Sequence, residues 1–239
     1  MKEPPLDPAL AARLAALPVP SITATLYTKG IGGSFLAGLS PLDPANARFV
    51  GTAYTIRALP VREDLLAAVN DGRAPNLHRV AMAEAAAGEV IVTDCGAVRS
   101  ISFFGELIAT FLARKGVAAI VTDAGIADVA DVAATGLPVF CQGSAPIPGP
   151  AKRLVGDIGR PVDCMGVTVM PGDVLVGDAN GVAVIPRAMA EAVADAAEEK
   201  EDLERFLLAR LKDGAPLDGT YPPDQATLAA YRAARGATD

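Results

Sequence analysis

Three stretches of the chain share one pattern: GEVIVTDCGAV, GVAAIVTDAGIADV and GDVLVGDANGVAV. Each is a short, continuous apolar run that stops at an aspartate (Asp94, Asp123 or Asp178) followed by small residues and glycine. A strand buried on both faces has no polar side to alternate with, so it reads as unbroken Val, Ile and Leu. Such strands form the interior of an α/β sheet, and their carboxyl ends are where binding sites are built. The pattern therefore predicts three strand ends converging on one region.

The segments around these strands supply the other layers. RFVGTAYTIRAL is a further β-rich run, and DLLAAVNDG and LHRVAMAEAAAG have helical period, the second ending at Gly88. In SFFGELIATFLARKG the apolar residues Phe104, Leu107, Ile108, Phe111 and Leu112 recur at helical spacing with Gly116 past the end, as a crossover helix requires. VTVMPGDVLVGDANGVAVIP has tight turns at Pro171-Gly172 and Asn180-Gly181 and predicts an antiparallel meander, which makes the sheet mixed. Near the start, LDPALAARLAAL is helical up to Pro18, and SITATLY suits a strand or a helix start. The glycines of KGIGGSFLAGLSPLD do not keep dinucleotide-loop spacing, and Pro41 and Pro44 stop a following helix, so this is a turn-rich connection. A long amphipathic helix from Ala188, then QATLAAYRAAR, completes the chain. The expected organisation is an α/β domain over 1–187 and a helical extension over 188–239 that packs on the core or on a neighbouring subunit.

Composition narrows the function classes. With 239 residues, 51% hydrophobic and 21% charged, the chain has ample apolar content for one well-buried core. Lysine and arginine number 21 against 28 acids, and the net charge of -7 repels nucleic acid and anionic membrane surfaces. No apolar run reaches the roughly 18 residues of a membrane span, and the proline-broken, acid-bearing start is unlike a secretory signal, so a cytoplasmic location is expected. Cys95, Cys141 and Cys164 lie apart in apolar or glycine-containing segments, which suits buried thiols. The single histidine, His78, suits packing or capping, leaving any metal to oxygen ligands.

FFGELIATFLARKGVAAIVTDAGIADV, then GLPVF, then GVTVMPGDVLVGDANGVAVIP together resemble the RraA-like family, which contains divalent-metal 4-hydroxy-4-methyl-2-oxoglutarate aldolases and the regulator of ribonuclease E activity. The resemblance runs from about Ser21 to the long C-terminal helix. It implies a swivelling β/β/α layered α/β domain with a mixed sheet. It further implies a homotrimer or homohexamer with sites between subunits, and a small anionic substrate.

The family's aldolases carry an acid in a Gly-Glu-Leu or Gly-Asp-Leu turn at a helix start, intact here as Gly105-Glu106-Leu107. By resemblance, the backbone N–H groups around Leu107 and Ile108 receive the substrate carboxylate, and Glu106 holds the water that shuttles the proton; a helix N-terminus favours an anion on physical grounds alone. Glu106 is equally what a first helical turn uses to complement its dipole. The second family motif, D-G-x-x-R-D, reads Asp123-Ala124-Gly125-Ile126-Ala127-Asp128. Asp128 matches the residue that holds Mg²⁺ or Mn²⁺, and it also suits an N-cap for VADVAATG.

Two positions depart from the family. Ala127 replaces an arginine whose guanidinium would steady enolate charge, an effect of about 3 kcal/mol on the barrier. In TATLYTKG, Thr28 and Lys29 stand where relatives carry an acid. Arg99, Lys29, Lys152 and Arg153 are the cations that could substitute, each otherwise a solvated surface charge. The resemblance implies a metal-dependent carbon–carbon lyase, of aldolase or decarboxylase type, acting on a small 2-oxo acid through an enolate. The alternatives are a non-catalytic binding or regulatory protein and a relative with diverged enolate chemistry.

Overall fold

The layers follow from which face each strand residue presents. In the computed structural model, which describes residues 4–236, the central strand is β2 (Phe49–Pro60). Residues 1–3 and 237–239, and with them the outer limits of both expected segments, lie outside the described residues. β3 (Glu89–Asp94), β4 (Ala119–Thr122) and β5 (Val139–Cys141) follow parallel to β2 and to one another, with Tyr54 opposite Ile91 and Ile91 opposite Ile120. β1 (Ser40–Pro41) closes the far edge antiparallel to β5.

On its other side β2 forks. Its first part pairs antiparallel with β9 (Val174–Asp178), itself paired with β10 (Gly181–Ile185), and its last part pairs antiparallel with β6 (Arg153–Ile158). The sheet is mixed, as expected. The Asn180-Gly181 hairpin is present, but the meander stops there. VTV is β8 (Val167–Val169) and pairs with β7 (Val162–Cys164) in a separate two-stranded sheet, because the Pro171-Gly172 turn is held by β2: Gly172 N–H donates to Ala53 O at 2.9 Å.

Alternation along the parallel strands sends Tyr54, Ile91, Ile120 and Val139 to one face, under α4 (Leu77–Glu84), α5 (Glu106–Arg114) and α6 (Val129–Ala134). Ala53, Val90, Val92, Val121 and Phe140 go to the other face, against β7, β8 and Leu36–Phe49. Helices, main sheet and small sheet make the β/β/α stack. Each fully buried Ile or Leu stabilises it by about 2 kcal/mol. α4 stops at Glu84, short of Gly88, because the Glu89 carboxylate takes Ala86 N–H at 2.7 Å. α3 (Glu63–Asn70) buries no residue.

A third core joins β9 and β10 to α1 (Pro8–Ala16), α2 (Val19–Thr28) and α7 (Ala190–Lys212). SITATLY is therefore helical: Pro20 sits in the first turn, and Ile22, Thr25 and Leu26 recur on one buried face. α7 lays Val193, Ala194 and Ala197 on that layer, and α8 (Gln225–Gly236) follows it. No single helix among the described residues is long and apolar enough to cross a membrane.

Candidate functional site

The carboxyl ends of β3, β4 and β5 lie side by side, and the three loops that leave them interlock. Gly125 N–H donates to Ile101 O at 3.0 Å, Ile126 N–H to Gly143 O at 2.9 Å, and Ser102 N–H to Ile147 O at 2.8 Å. Ser102 pins this platform through its side chain as well. Its buried hydroxyl accepts from Ala127 N–H at 3.0 Å and Phe104 N–H at 3.2 Å, and donates to Phe104 O at 2.5 Å. Ser102 carries no signature in the sequence, since a serine before two phenylalanines marks nothing until the loops meet.

Asp128 stands at the head of α6 but does not cap it. Its backbone is left-handed, with φ at 52°, and its side chain accepts nothing from α6. Oδ2 instead accepts Glu106 N–H, the first of α5, at 3.2 Å. Gly105, the N-cap residue of α5, has no side chain to do that work; a Cβ there would lie 2.5 Å from the same Oδ2. The expected helix-cap role is thus real but directed at the wrong helix. The Asp128 carboxylate and the start of the Glu106 helix, 22 residues apart in sequence, are thereby in contact.

The first helical bond of α5 is Ala109 N–H to Gly105 O at 3.0 Å, so the N–H groups of Leu107 and Ile108 precede it and have no acceptor within the helix. Glu106 itself is exposed. An anion could therefore lie over the Leu107 and Ile108 donors, at the helix end that the Asp128 carboxylate touches. The donors present are carboxylate oxygens, which fit a hard divalent cation held by one or two side chains with water and ligand oxygens completing its shell. Among the described residues no cluster of three His, Cys, Asp or Glu side chains gathers, so one chain offers no more than that.

The other candidates separate. Asp123 is buried and acts as an anchor: its oxygens accept Cys95 N–H at 2.5 Å and Ala97 N–H at 2.6 Å, holding the loop that leads to Ser102. Burial pushes its carboxyl above the usual range, with those two bonds opposing the shift. Asp94 accepts Gly96 N–H at 3.0 Å nearby. Asp178 does not join them, because β9 runs antiparallel to β2 and ends at the opposite side of the sheet, where it accepts Val19 N–H at 2.9 Å and Asn180 N–H at 2.7 Å. Two of the three strand ends converge, not three.

Of the cations, Lys152 donates to Ser100 Oγ at 2.9 Å, midway along the 95–105 loop, and the Arg153 guanidinium lies against Gly96, at the end of that loop away from Gly105. Lys29 ends α2, on the layer built over β9 and β10. Arg99 is exposed. His78 is wedged against Phe103 and Phe104, with ring centroids 5.4 and 5.7 Å away, and burial lowers its pKa to about 4. All three cysteines are free and buried, and desolvation raises each thiol's pKa, which is the opposite of what a nucleophile needs.

Two cavities flank the Glu106 turn. One, of about 170 Å³, is lined by Phe103, Phe104, Gly105, Ala127 and prolines of the 142–149 loop. The other, of about 420 Å³, lies between α4 and α5 beside Leu107 and Phe111. Both of these residues belong to the apolar stripe expected to face the core, yet Leu107 is 85% and Phe111 47% exposed; Ala109 and Leu112 make the buried face instead. A larger cavity, about 670 Å³, opens elsewhere, in the fork between β6 and β9 around Tyr54.

Comparison with known proteins agrees with this architecture. A provisionally named 4-hydroxy-4-methyl-2-oxoglutarate aldolase of Halalkalibacterium halodurans is 37% identical over 121 residues, covering 51% of this chain and 57% of the relative. A Methanocaldococcus jannaschii protein of no stated function is 38% identical over 43% of this chain and 49% of its own length. The chain thus spans about half the length of these relatives. Among solved structures, Streptomyces coelicolor RraAS2, described as an unusual member of the RNase ES inhibitor RraA family, superposes with a TM-score of 0.77 at 28% identity, over 85% of this chain and 98% of that one. A Pseudomonas syringae protein shares the fold at a TM-score of 0.78 and 22% identity, over 92% and 100% of the two chains. The sequence profile of the RraA-like family, described as Aldolase/RraA, matches residues 23–184, which span the interlocked loops and the β/β/α stack, and the chain belongs to that family.

Proposed function

We propose that the protein is a divalent-metal-dependent carbon–carbon lyase that cleaves or decarboxylates a small 2-oxo acid, working in the cytoplasm. The observation that carries this reading is the Asp128 carboxylate turned off its own helix and onto the first N–H of the Glu106 helix. Asp128 would hold Mg²⁺ or Mn²⁺, with Glu106 beside it. A cation there supplies Lewis acidity for the charge that develops on the 2-oxo oxygen as the carbon–carbon bond breaks. The chain's own groups do the rest. The N–H groups of Leu107 and Ile108 bind and orient the substrate carboxylate, and Glu106, through one water, takes the proton of the C4 hydroxyl in an aldol cleavage and, in either reaction, delivers a proton to the carbon that becomes the methyl of pyruvate. Gly105 leaves room for Asp128.

The exposed Leu107 and Phe111 beside this turn support a homo-oligomer, trimer or hexamer, in which a neighbouring copy covers them. A monomer in light scattering would count against that assembly. The lyase reading is tested by pyruvate release from oxaloacetate and from 4-hydroxy-4-methyl-2-oxoglutarate with Mg²⁺ or Mn²⁺, beside Asp128→Ala. Expected is activity that EDTA and the substitution both remove; activity that survives both, or none at all, sinks it. Ala127→Arg should raise the rate about tenfold or more. One observation favours a second reading, a non-catalytic binding protein: Ala127 supplies no cation, and Lys152 and Arg153 are engaged elsewhere on the loop. Absence of turnover together with intact 2-oxo acid binding would select it.

A further inference from the structure

α4 and α5 lie side by side and run in the same direction. At their starts, His78 of α4 packs on Phe103 and Phe104, which lead into α5; at their ends, Lys115 donates to Met82 O at 3.1 Å and Ala83 O at 2.7 Å. The 420 Å³ hollow between them is lined by Arg79, Met82, Ala83, Leu107, Ile108 and Phe111. It therefore adjoins the two residues whose N–H groups precede the first helical bond of α5. Arg79 alone among the six carries charge. It is exposed, and its guanidinium has no hydrogen-bond or ion-pair partner among the described residues, whereas Lys115 is engaged with the end of α4. Arg79 is also the third residue of α4, its N–H bonded to the Asn76 cap at 3.1 Å, in a first turn that holds no acid. A cation there faces the positive end of the helix dipole, so helix stability does not account for it. A guanidinium beside apolar walls is instead suited to a carboxylate, which it holds through two parallel hydrogen bonds.

From this arrangement we infer that Arg79 is a substrate-binding residue that sets specificity: it takes the distal carboxylate of a short 2-oxo dicarboxylate whose first carboxylate lies on the Leu107 and Ile108 N–H groups. This inference rests on the 2-oxo acid reading of the Glu106 and Asp128 turn. Ala127 leaves the loop layer without a cation at that turn, and Arg79 supplies one from the helix layer.

A matched pair of probes tests it: 2-oxoglutarate and 2-oxopentanoate differ only in ending in a carboxylate or a methyl group, and neither has a C4 hydroxyl to cleave. Binding of each to the full chain with Mg²⁺ is measured by calorimetry, beside Arg79→Gln. Because Arg79 is exposed and its loss takes a cation off the positive end of α4, the variant should unfold in urea as the original does. The expected result is 2-oxoglutarate tighter by about tenfold or more in the unmodified chain, with that preference gone in Arg79→Gln and 2-oxopentanoate affinity unchanged. Equal affinities, tighter 2-oxopentanoate or no binding of either overturns the role of Arg79 on the unmodified chain alone. A preference that survives the substitution, or a loss shared by both probes, overturns it as well. The pyruvate-release assay reports separately on the lyase reading. Release without an Arg79-dependent preference removes the role of Arg79 and keeps the lyase; the preference without release keeps Arg79 as a carboxylate-binding residue and removes the lyase.

Discussion

Asp123 and Asp178 end strands of almost the same sequence, IVTDAG and LVGDANG, and both are buried acids whose two oxygens accept two backbone N–H groups. Their surroundings are unlike. β4 lies parallel to its neighbours, so Asp123 sits under three interlocked loops and fixes the one that leads to Glu106. β9 runs the other way, so Asp178 ties α2 to a hairpin on the far side of the sheet. A strand ending in aspartate and glycine specifies a turn; strand direction decides whether the turn belongs to a site.

The comparison breaks most directly by removing each acid. Asp123→Ala and Asp178→Ala each strand two N–H groups, at least one of them buried, and each should cost about 3 kcal/mol in urea unfolding. Only Asp123→Ala should also abolish 2-oxo acid binding under conditions where the chain remains folded. Equal loss of binding in both variants would mean that the two ends are coupled through the sheet and do not differ in function.

Acid should distinguish the two ends as well. His78, the only histidine in the chain, packs behind Phe103 and Phe104 at the loop end, and burial lowers its pKa from 6.5 to about 4. Between those values the unfolded chain binds the proton and the folded chain does not. The stability present above pH 6.5 is therefore lost progressively down to about pH 4, by about 3 kcal/mol. His78→Leu should flatten that part of the unfolding profile. A slope that persists in the variant would assign the acid sensitivity to carboxylates elsewhere.

The architecture was legible because it is written in periods. Continuous apolar runs mark β3, β4 and β9, and the Asn180-Gly181 turn marks the β9–β10 hairpin. What was not legible depends on direction and on neighbours. Nothing in LVGDANG states that its strand is antiparallel to β2, and nothing in VTV states that it pairs with VDC. The β-branched residues of SITATLY allow strand or helix, and only packing against α7 and β9 decides. At the site, the Gly-Glu-Leu turn and Asp128 could be named from family resemblance, but the contact between them could not, because a cap on one's own helix and a cap on another's look alike in sequence. Leu107 and Phe111 have the spacing of core residues and lie in the open, since periodicity gives a stripe and not what covers it.

Ser102 sharpens the contrast at smaller amplitude. Ser102→Ala removes three hydrogen bonds of one hydroxyl, although Ala127 N–H keeps Phe104 O at 3.1 Å, so a cost of about 2 kcal/mol is expected. Mn²⁺ affinity measured by calorimetry should fall with it, and Ser102→Thr should restore much of both. A variant that loses stability but binds Mn²⁺ as before would make Ser102 a fastener of the loops with no bearing on the carboxylates.

The smallest stability change carries the finest test, in a pair of glycines, one at each end of the sheet. Gly181, in the hairpin, has φ at +137°, and a Cβ there would lie 2.6 Å from the Phe35 ring, so Gly181→Ala is strained twice and should cost about 2 kcal/mol while leaving ligand binding alone. Gly105 is extended, with φ at -144°, a conformation alanine adopts freely. What a Cβ meets there is the end of the Asp128 side chain, which can swing aside, so Gly105→Ala should change stability by less than about 1 kcal/mol. Swinging aside is nonetheless what the site cannot tolerate, because the displaced carboxylate leaves Glu106 N–H and the position from which it would hold a cation. Mn²⁺ affinity should drop about tenfold in a chain that unfolds almost as the original does. If Gly105→Ala binds Mn²⁺ unchanged, Asp128 is no more than a cap for α5, and the two ends of the sheet differ in topology but not in function.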